Sequence, residues 1–279
     1  MKQPAIEPLL VQHMPQRIVD VNGYAIRYLD IPSAGSDKLA VLLHGIGASA
    51  DRWLPIIPAL SRYYRIIAPD IIGFGYSDKP TVEYTMDFFL DFLESFLRAL
   101  KISRPHFVAS SFGGHLATEF AITRPRMVDK MVLASPAGMM RTSTPTLDAY
   151  IMSALYPTYE NAEKAFSNMA HDSVAVTPEI VMDFVNRMRL PNAKYAFMST
   201  LLGMRYAPKL QGRLAKITAP TLLVWGDSDK MIPLQYAKEY REIPDSELTV
   251  IKNCGHTPYV EKPMTFNKLL LKFFVGNTD

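Results

Sequence analysis

The run His106-Phe107-Val108-Ala109-Ser110-Ser111-Phe112-Gly113-Gly114-His115 passes from apolar residues through two serines to paired glycines. A buried strand over 106–110, a tight turn at Ser111 and a helix over 113–123 account for that order. Strand and helix converge so sharply at such a turn that the positions two before and two after it must carry small residues. Ala109 and Gly113 hold those positions. Ala109 adds a single methyl to what a glycine would present there. Moving the turn back to Ser110 would bring Val108 and Phe112 to the crowded positions, which is sterically much worse. The Ser111 hydroxyl is thus lifted off the end of a strand and becomes the candidate nucleophile.

On either side of this unit, short runs rich in Val and Ile alternate with longer segments of helical period. That is the pattern of a mainly parallel sheet covered by helices. Strands are expected over 17–21 and 24–30, joined by an Asn22-Gly23 turn, and over 39–43, 65–70, 130–135, 221–225 and 247–252. With 106–110, the expected class is α/β with an eight-stranded, mostly parallel sheet. Further helices are expected over 53–62, 84–100, 233–242 and 262–274. In the second of these, Phe88, Phe89, Phe92, Phe96 and Leu97 recur at helical spacing.

The alternation stops between Met139 and Leu210, where four helical stretches follow one another: 146–155, 160–170, 178–188 and 193–204. Thr177 reads as the N-cap of the third, with Pro178 at its first position. Residues 139–206 hold eight of the chain's 15 methionines, together with Tyr150, Tyr156, Phe166, Phe184, Tyr195 and Phe197. A plain helical core and a deformable wall over an apolar pocket both explain such a composition. The expected organisation is a core of residues 1–138 and 211–279 with a helical cap, 139–210, inserted after the sixth strand.

Composition excludes several classes. Hydrophobic residues make up 48% of the 279 and charged ones 20%, enough apolar surface for a sizeable core and too little charge for a disordered chain. Net charge is only +3 and the basic residues are scattered, so nucleic acid is not expected as a partner. Cys254 is the only cysteine, which rules out an internal disulfide and a thiolate cluster. The six histidines never fall at HxH, HxxH or HEXXH spacing, so no metal and no cofactor is expected. The start of the chain, broken by Pro4, Pro8 and Pro15, lacks a signal-peptide core, and no apolar run is long enough to span a bilayer. The expectation is a cytoplasmic protein without a membrane span, and a homodimer is left open.

Four separated blocks carry a family resemblance. They are Leu43-His44-Gly45-Ile46-Gly47, the run from Asp70 through Gly73, Gly75 and Ser77 to Pro80, the turn at Ser111, and Trp225-Gly226-Asp227-Ser228-Asp229 with Gly255-His256. In this order, at the ends of expected strands, they resemble a serine hydrolase of the α/β-hydrolase fold over nearly everything after residue 17. A serine hydroxyl needs a base to take its proton and an acid to orient that base. The resemblance implies Ser111 as nucleophile, His256 as base and an acid after the 221–225 strand. Asp227 and Asp229 both stand there; the family's spacing from Gly226 favours Asp229, leaving Asp227 as a turn residue. The implied oxyanion donors are the backbone N–H groups of Phe112 and Ile46. His44 reads as an internal hydrogen-bonding post, Asp70, Gly73, Gly75 and Ser77 as residues that hold their loop, and Cys254 as a buried filler. Expected pocket residues are Gly45, Met139, Phe184, Met188, Met204, Met231 and Thr257.

The fold leaves the substrate open. Epoxide hydrolases and haloalkane dehalogenases use an Asp nucleophile where this chain has Ser111, and are disfavoured. The apolar, methionine-rich insertion favours an uncharged acyl substrate, so the first expectation is a carboxylesterase acting on a small-molecule ester. The alternative is a meta-cleavage-product hydrolase, which splits a C–C bond in a vinylogous diketone; the region from Ser111 through Ser135-Pro136-Ala137-Gly138 resembles that branch. Those enzymes usually carry Trp after the catalytic His, where this chain has Thr257, and a cap Arg where it has Phe184. Arg187 or Arg189, one turn away, could replace that arginine. A non-catalytic small-molecule receptor is the third reading.

Overall fold

The computed structural model describes residues 14–172 and 175–276. The proline-broken start therefore lies outside the described residues up to position 13. Eight strands form one sheet: β1 (Gln16–Val21), β2 (Tyr24–Ile31), β3 (Leu39–Leu43), β4 (Arg65–Pro69), β5 (His106–Ser110), β6 (Met131–Ala134), β7 (Thr221–Gly226) and β8 (Ser246–Ile251). Their spatial order is β1-β2-β4-β3-β5-β6-β7-β8. β2 pairs antiparallel with β1 and β4, and every other pairing is parallel. Asn22 and Gly23, at φ 55° and 86°, make the hairpin turn that the Asn-Gly pair announces. β5, β6 and β7 are buried along their whole length, which explains their apolar runs.

The helices are α1 (Ile57–Leu60), α2 (Met86–Ala99), α3 (Ser111–Thr123), α4 (Pro145–Leu155), α5 (Tyr159–Met169), α6 (Pro178–Met188), α7 (Ala193–Tyr206), α8 (Ala237–Tyr240), α9 (Pro258–Glu261) and α10 (Pro263–Val275). α4 to α7 all fall between β6 and β7. α4, α5 and α6 begin alike, on a threonine whose hydroxyl accepts from a backbone N–H three residues on: Thr144, Thr158 and Thr177.

Of three helices expected at proline-flanked segments, one is broken, one is shortened and one is intact. The expected helix over 53–62 is a 3₁₀ turn, Ala50–Trp53, followed by the single turn α1, because Pro55 and Pro58 lack the N–H that a continuous helix needs. The one expected over 262–274 is found intact as α10, which starts one residue later at Pro263 because Lys262 is held out of the helical region at φ −135°, ψ 55°. The one expected over 233–242 is a 3₁₀ turn and the short α8, ending before Ile243-Pro244.

Two apolar clusters flank the sheet. One gathers α2, α3 and the helices of the 139–210 segment; the other gathers Trp53, Tyr64, Tyr259, Phe266 and Phe274. Among the described residues, no helix is long and apolar enough to cross a membrane.

Candidate active site

β5 ends at Ser110 and α3 begins at Ser111, whose φ of 54° lies in the left-handed region. The close approach behind this turn is visible at Gly113. A Cβ there would stand 2.4 Å from the Leu43 carbonyl oxygen and 2.5 Å from that of His44, both backbone atoms that have nowhere to go. Glycine is thus required for packing α3 against the end of β3.

Two further chain segments converge on Ser111: the loop after β7 delivers Asp229, and the loop after β8 delivers His256. Their proximity depends on Gly226, where a Cβ would meet the Cys254 and Gly255 carbonyl oxygens at 2.2 Å. His256 Nδ1 lies 2.9 Å from Asp229 Oδ2, and both side chains are buried. Asp229 Oδ1 accepts from the N–H groups of Met231 and Ile232 at 2.9 Å each, which fixes the carboxylate. Asp227 is exposed and turned elsewhere: its Oδ1 accepts from Ser228 Oγ at 2.8 Å and from the Cys254 N–H at 3.4 Å, and the Ser228 bond holds its carboxyl below the usual range.

His256 Nε2 is buried and has no hydrogen-bond partner among the described residues. Ser111 lines the same cavity without being bonded to it. A complete hydrogen-bonded row was expected; only its Asp229–His256 half is formed. The backbone N–H of Phe112 sits in the first turn of α3, where helix geometry offers no internal acceptor. Neither this N–H nor that of Ile46 donates in any turn or loop hydrogen bond of the described residues.

His44 is fully buried between two loops. Its Nδ1–H donates to the Gly45 carbonyl at 2.7 Å and its Nε2 accepts from the Ile71 N–H at 3.0 Å, and burial pushes it down to about 4, so it stays neutral. Asp70 holds its loop by accepting from Arg27, Ala50 and Tyr76. Burial, with repulsion from the nearby Asp70 carboxylate, drives Asp51 up to about 7 despite its bond to Arg27. Cys254 is fully buried, and burial pushes its thiol up to about 12, the state of a packing residue.

The cavity encloses about 500 Å³, part of it open to solvent. Of the expected residues, Gly45, Ile46, Ser111, Phe184, Met231, His256 and Thr257 line it. Met139 and Met188 are buried in the core instead, and Met204 is half-buried outside the lining. Ile180, Phe184 and Arg187 of α6, at helical spacing, meet the cavity, while Met188, at the end of that helix, is buried in the core beyond it. Tyr150, Phe166 and Met169 complete the wall from α4 and α5. The sequence reading missed Arg52, Ser110 and Tyr259. A single arginine before Trp53 reads as solvated surface, and only the fold turns it inward.

The family profile of the alpha/beta hydrolase fold matches residues 39–263. The chain belongs to this family. Among its relatives in the family, 2-hydroxy-6-oxo-6-(2'-aminophenyl)hexa-2,4-dienoic acid hydrolase of Metapseudomonas resinovorans is 28% identical over 95% of this chain and 92% of its own. 2-Hydroxy-6-oxo-2,4-heptadienoate hydrolase of Pseudomonas putida is 30% identical, over 93% and 96%. A solved meta-cleavage product hydrolase from Pseudomonas fluorescens IP01, complexed with acetates, superposes with a TM-score of 0.84 at 30% identity, covering 94% of this chain and 98% of that one. The chain is an α/β-hydrolase-fold hydrolase whose relatives include meta-cleavage product hydrolases.

Proposed function

We propose that this protein hydrolyses a C–C bond in 2-hydroxy-6-oxo-dienoates, with Ser111 as nucleophile, His256 as base and Asp229 as the acid that orients it. The observation that carries the reading is the unpartnered His256 Nε2, which lines the same mainly apolar cavity as Ser111 and is oriented from behind by Asp229. The relatives named for such substrates support this chemistry ahead of the carboxylesterase expected first.

With the substrate as its 2-oxo tautomer, Ser111 Oγ attacks C6 and its proton passes to His256 Nε2, a bond that tightens only when substrate is bound. The C6 oxygen becomes an oxyanion facing the N–H groups of Ile46 and Phe112. Breaking C5–C6 leaves the acyl group on Ser111; the electron pair delocalises through the C3=C4 double bond onto the C2 oxygen and takes up the proton from His256. Water, deprotonated by His256, then cleaves the acyl-enzyme and restores Ser111.

Ester hydrolysis by the same attack is the second reading, favoured by Thr257 and Phe184 standing where the C–C hydrolases carry Trp and Arg. Turnover of 2-hydroxy-6-oxo-2,4-heptadienoate and of p-nitrophenyl butyrate separates the two. A higher kcat/KM on the dienoate, abolished in Ser111→Ala, supports the proposal. Higher kcat/KM on the ester replaces it with the carboxylesterase, and turnover of neither leaves the receptor reading.

A further inference from the structure

Two arginines line the cavity, and their surroundings differ. Arg187 is neutralised within the protein: its Nε donates to Asp183 Oδ2 at 2.8 Å and its Nη1 to the Gly47 carbonyl at 2.6 Å. Arg52 has no ion pair among the described residues. It is only 9% exposed, its Nη1 is buried without a partner, and its guanidinium lies 5.9 Å from the centre of the Phe166 ring. An arginine does not shed its proton, so this is a permanent buried charge without a counter-ion.

The groups beside Arg52 extend the pattern. Ser110, directly before Ser111, lines the same cavity with its hydroxyl buried, and the Tyr259 hydroxyl neighbours both Ser110 and Arg52. Tyr259 lines it as well, and its ring packs on Trp53, the neighbour of Arg52, with centroids 4.1 Å apart. Next to the nucleophile the cavity therefore carries a guanidinium with no counter-ion and a free Nη1, with the Ser110 and Tyr259 hydroxyls beside it. A buried charge left without a partner is costly, and a bound anion would supply the missing one.

We infer that Arg52, with Ser110 beside it, is the carboxylate-binding site of the substrate, and that the cap residue Arg187 is not. This rests on the proposed C–C hydrolysis, whose substrate carries a carboxylate at the end remote from the C6 carbonyl. A bidentate guanidinium–carboxylate contact fixes that end and sets the C6 carbonyl against Ser111. Arg52 is thus a specificity-determining residue: it discriminates an anionic dienoate from its neutral ester.

The test compares 2-hydroxy-6-oxo-2,4-heptadienoate with its methyl ester. In Arg52→Gln, the acid-over-ester ratio of kcat/KM is expected to fall ~30-fold, chiefly through KM, the loss expected on removing a charged hydrogen-bond partner. Arg52→Lys keeps the charge and restores part of the ratio, and remains readable if Arg52→Gln does not fold. Arg187→Lys is expected to keep the wild-type ratio. Equal losses on acid and ester in Arg52→Gln, or a lost preference in Arg187→Lys alone, overturn the assignment. If the wild type cleaves no dienoate, the reaction is wrong and Arg52 is judged by binding alone: Ser111→Ala should bind benzoate more tightly than benzamide, and Ser111→Ala/Arg52→Gln should not. The same preference in both proteins, or in neither, overturns the site.

Discussion

Arg187 of α6 donates its Nη1–H to the carbonyl of Gly47, 2.6 Å away in the loop that follows β3. Its Nε is held by Asp183, which in turn accepts from Tyr76 Oη at 2.8 Å. This chain of buried polar groups joins the helical insertion to the loop that carries Gly45 and Ile46. Removing the guanidinium in Arg187→Ala leaves Asp183 buried and uncompensated, a loss of about 3–5 kcal/mol. The double variant Arg187→Met/Asp183→Asn, which removes both charges, should recover part of it. Urea denaturation reads both; an Arg187→Ala variant as stable as the wild type would show that the insertion does not depend on this pair.

Ser111 is held at φ 54°, a region that a side chain enters at a cost of about 1–3 kcal/mol. Glycine carries no such penalty, whereas alanine does. Ser111→Gly and Ser111→Ala should both lose hydrolysis, and the glycine variant should melt at the higher temperature. An alanine variant of equal or higher Tm argues that the turn is unstrained.

Asp229 and Asp227 are two residues apart and differ completely in what they touch. Only Asp229 reaches His256 Nδ1. Asp229→Asn should lower kcat by about 10⁴, because the imidazole loses the partner that selects its tautomer. Asp227→Asn should change kcat by less than about tenfold, since only a turn contact is touched. Comparable losses would reassign the acid.

His115 is fully buried, and neither ring nitrogen has a hydrogen-bond partner among the described residues. Burial, with a smaller contribution from Arg213, pushes it down from 6.5 to about 4. The unfolded chain therefore binds a proton at this site first as the pH falls. Stability is lost progressively from about 6.5 towards 4, by at most about 1.4 kcal/mol per pH unit, and is fully present above that window. His115→Leu removes this contribution, so its Tm should fall less between pH 7 and pH 5 than that of the wild type. Glu119 keeps its two contacts to Arg213, at 2.6 and 2.7 Å, in that variant. Parallel Tm curves for the two proteins would count against a neutral buried imidazole.

Much of this was readable in advance because it is local. The strand, turn and helix around Ser111 depend on contiguous small residues, and Thr177-Pro178 announced the start of α6 through hydrogen bonds within one turn. The failures share a cause in packing. Met139, Met188 and Met204 were expected at the pocket on composition, but which residues reach a cavity is set by how distant segments pack, and of the expected cap residues only Phe184 lines it, joined by Arg187.

Chain order and residue type alone determined an eight-stranded α/β architecture and the nucleophile candidate on its sharp turn, since both follow from short-range sterics and periodicity. The loops that carry Asp229 and His256 were marked by the resemblance of their motifs to the family. Tertiary structure decided which carboxylate meets the imidazole, which arginine is neutralised within the protein and which stands unpaired in the cavity. Those outcomes arise where segments distant in sequence come together, at glycines that admit backbone to within contact and around charges whose burial depends on every neighbour at once.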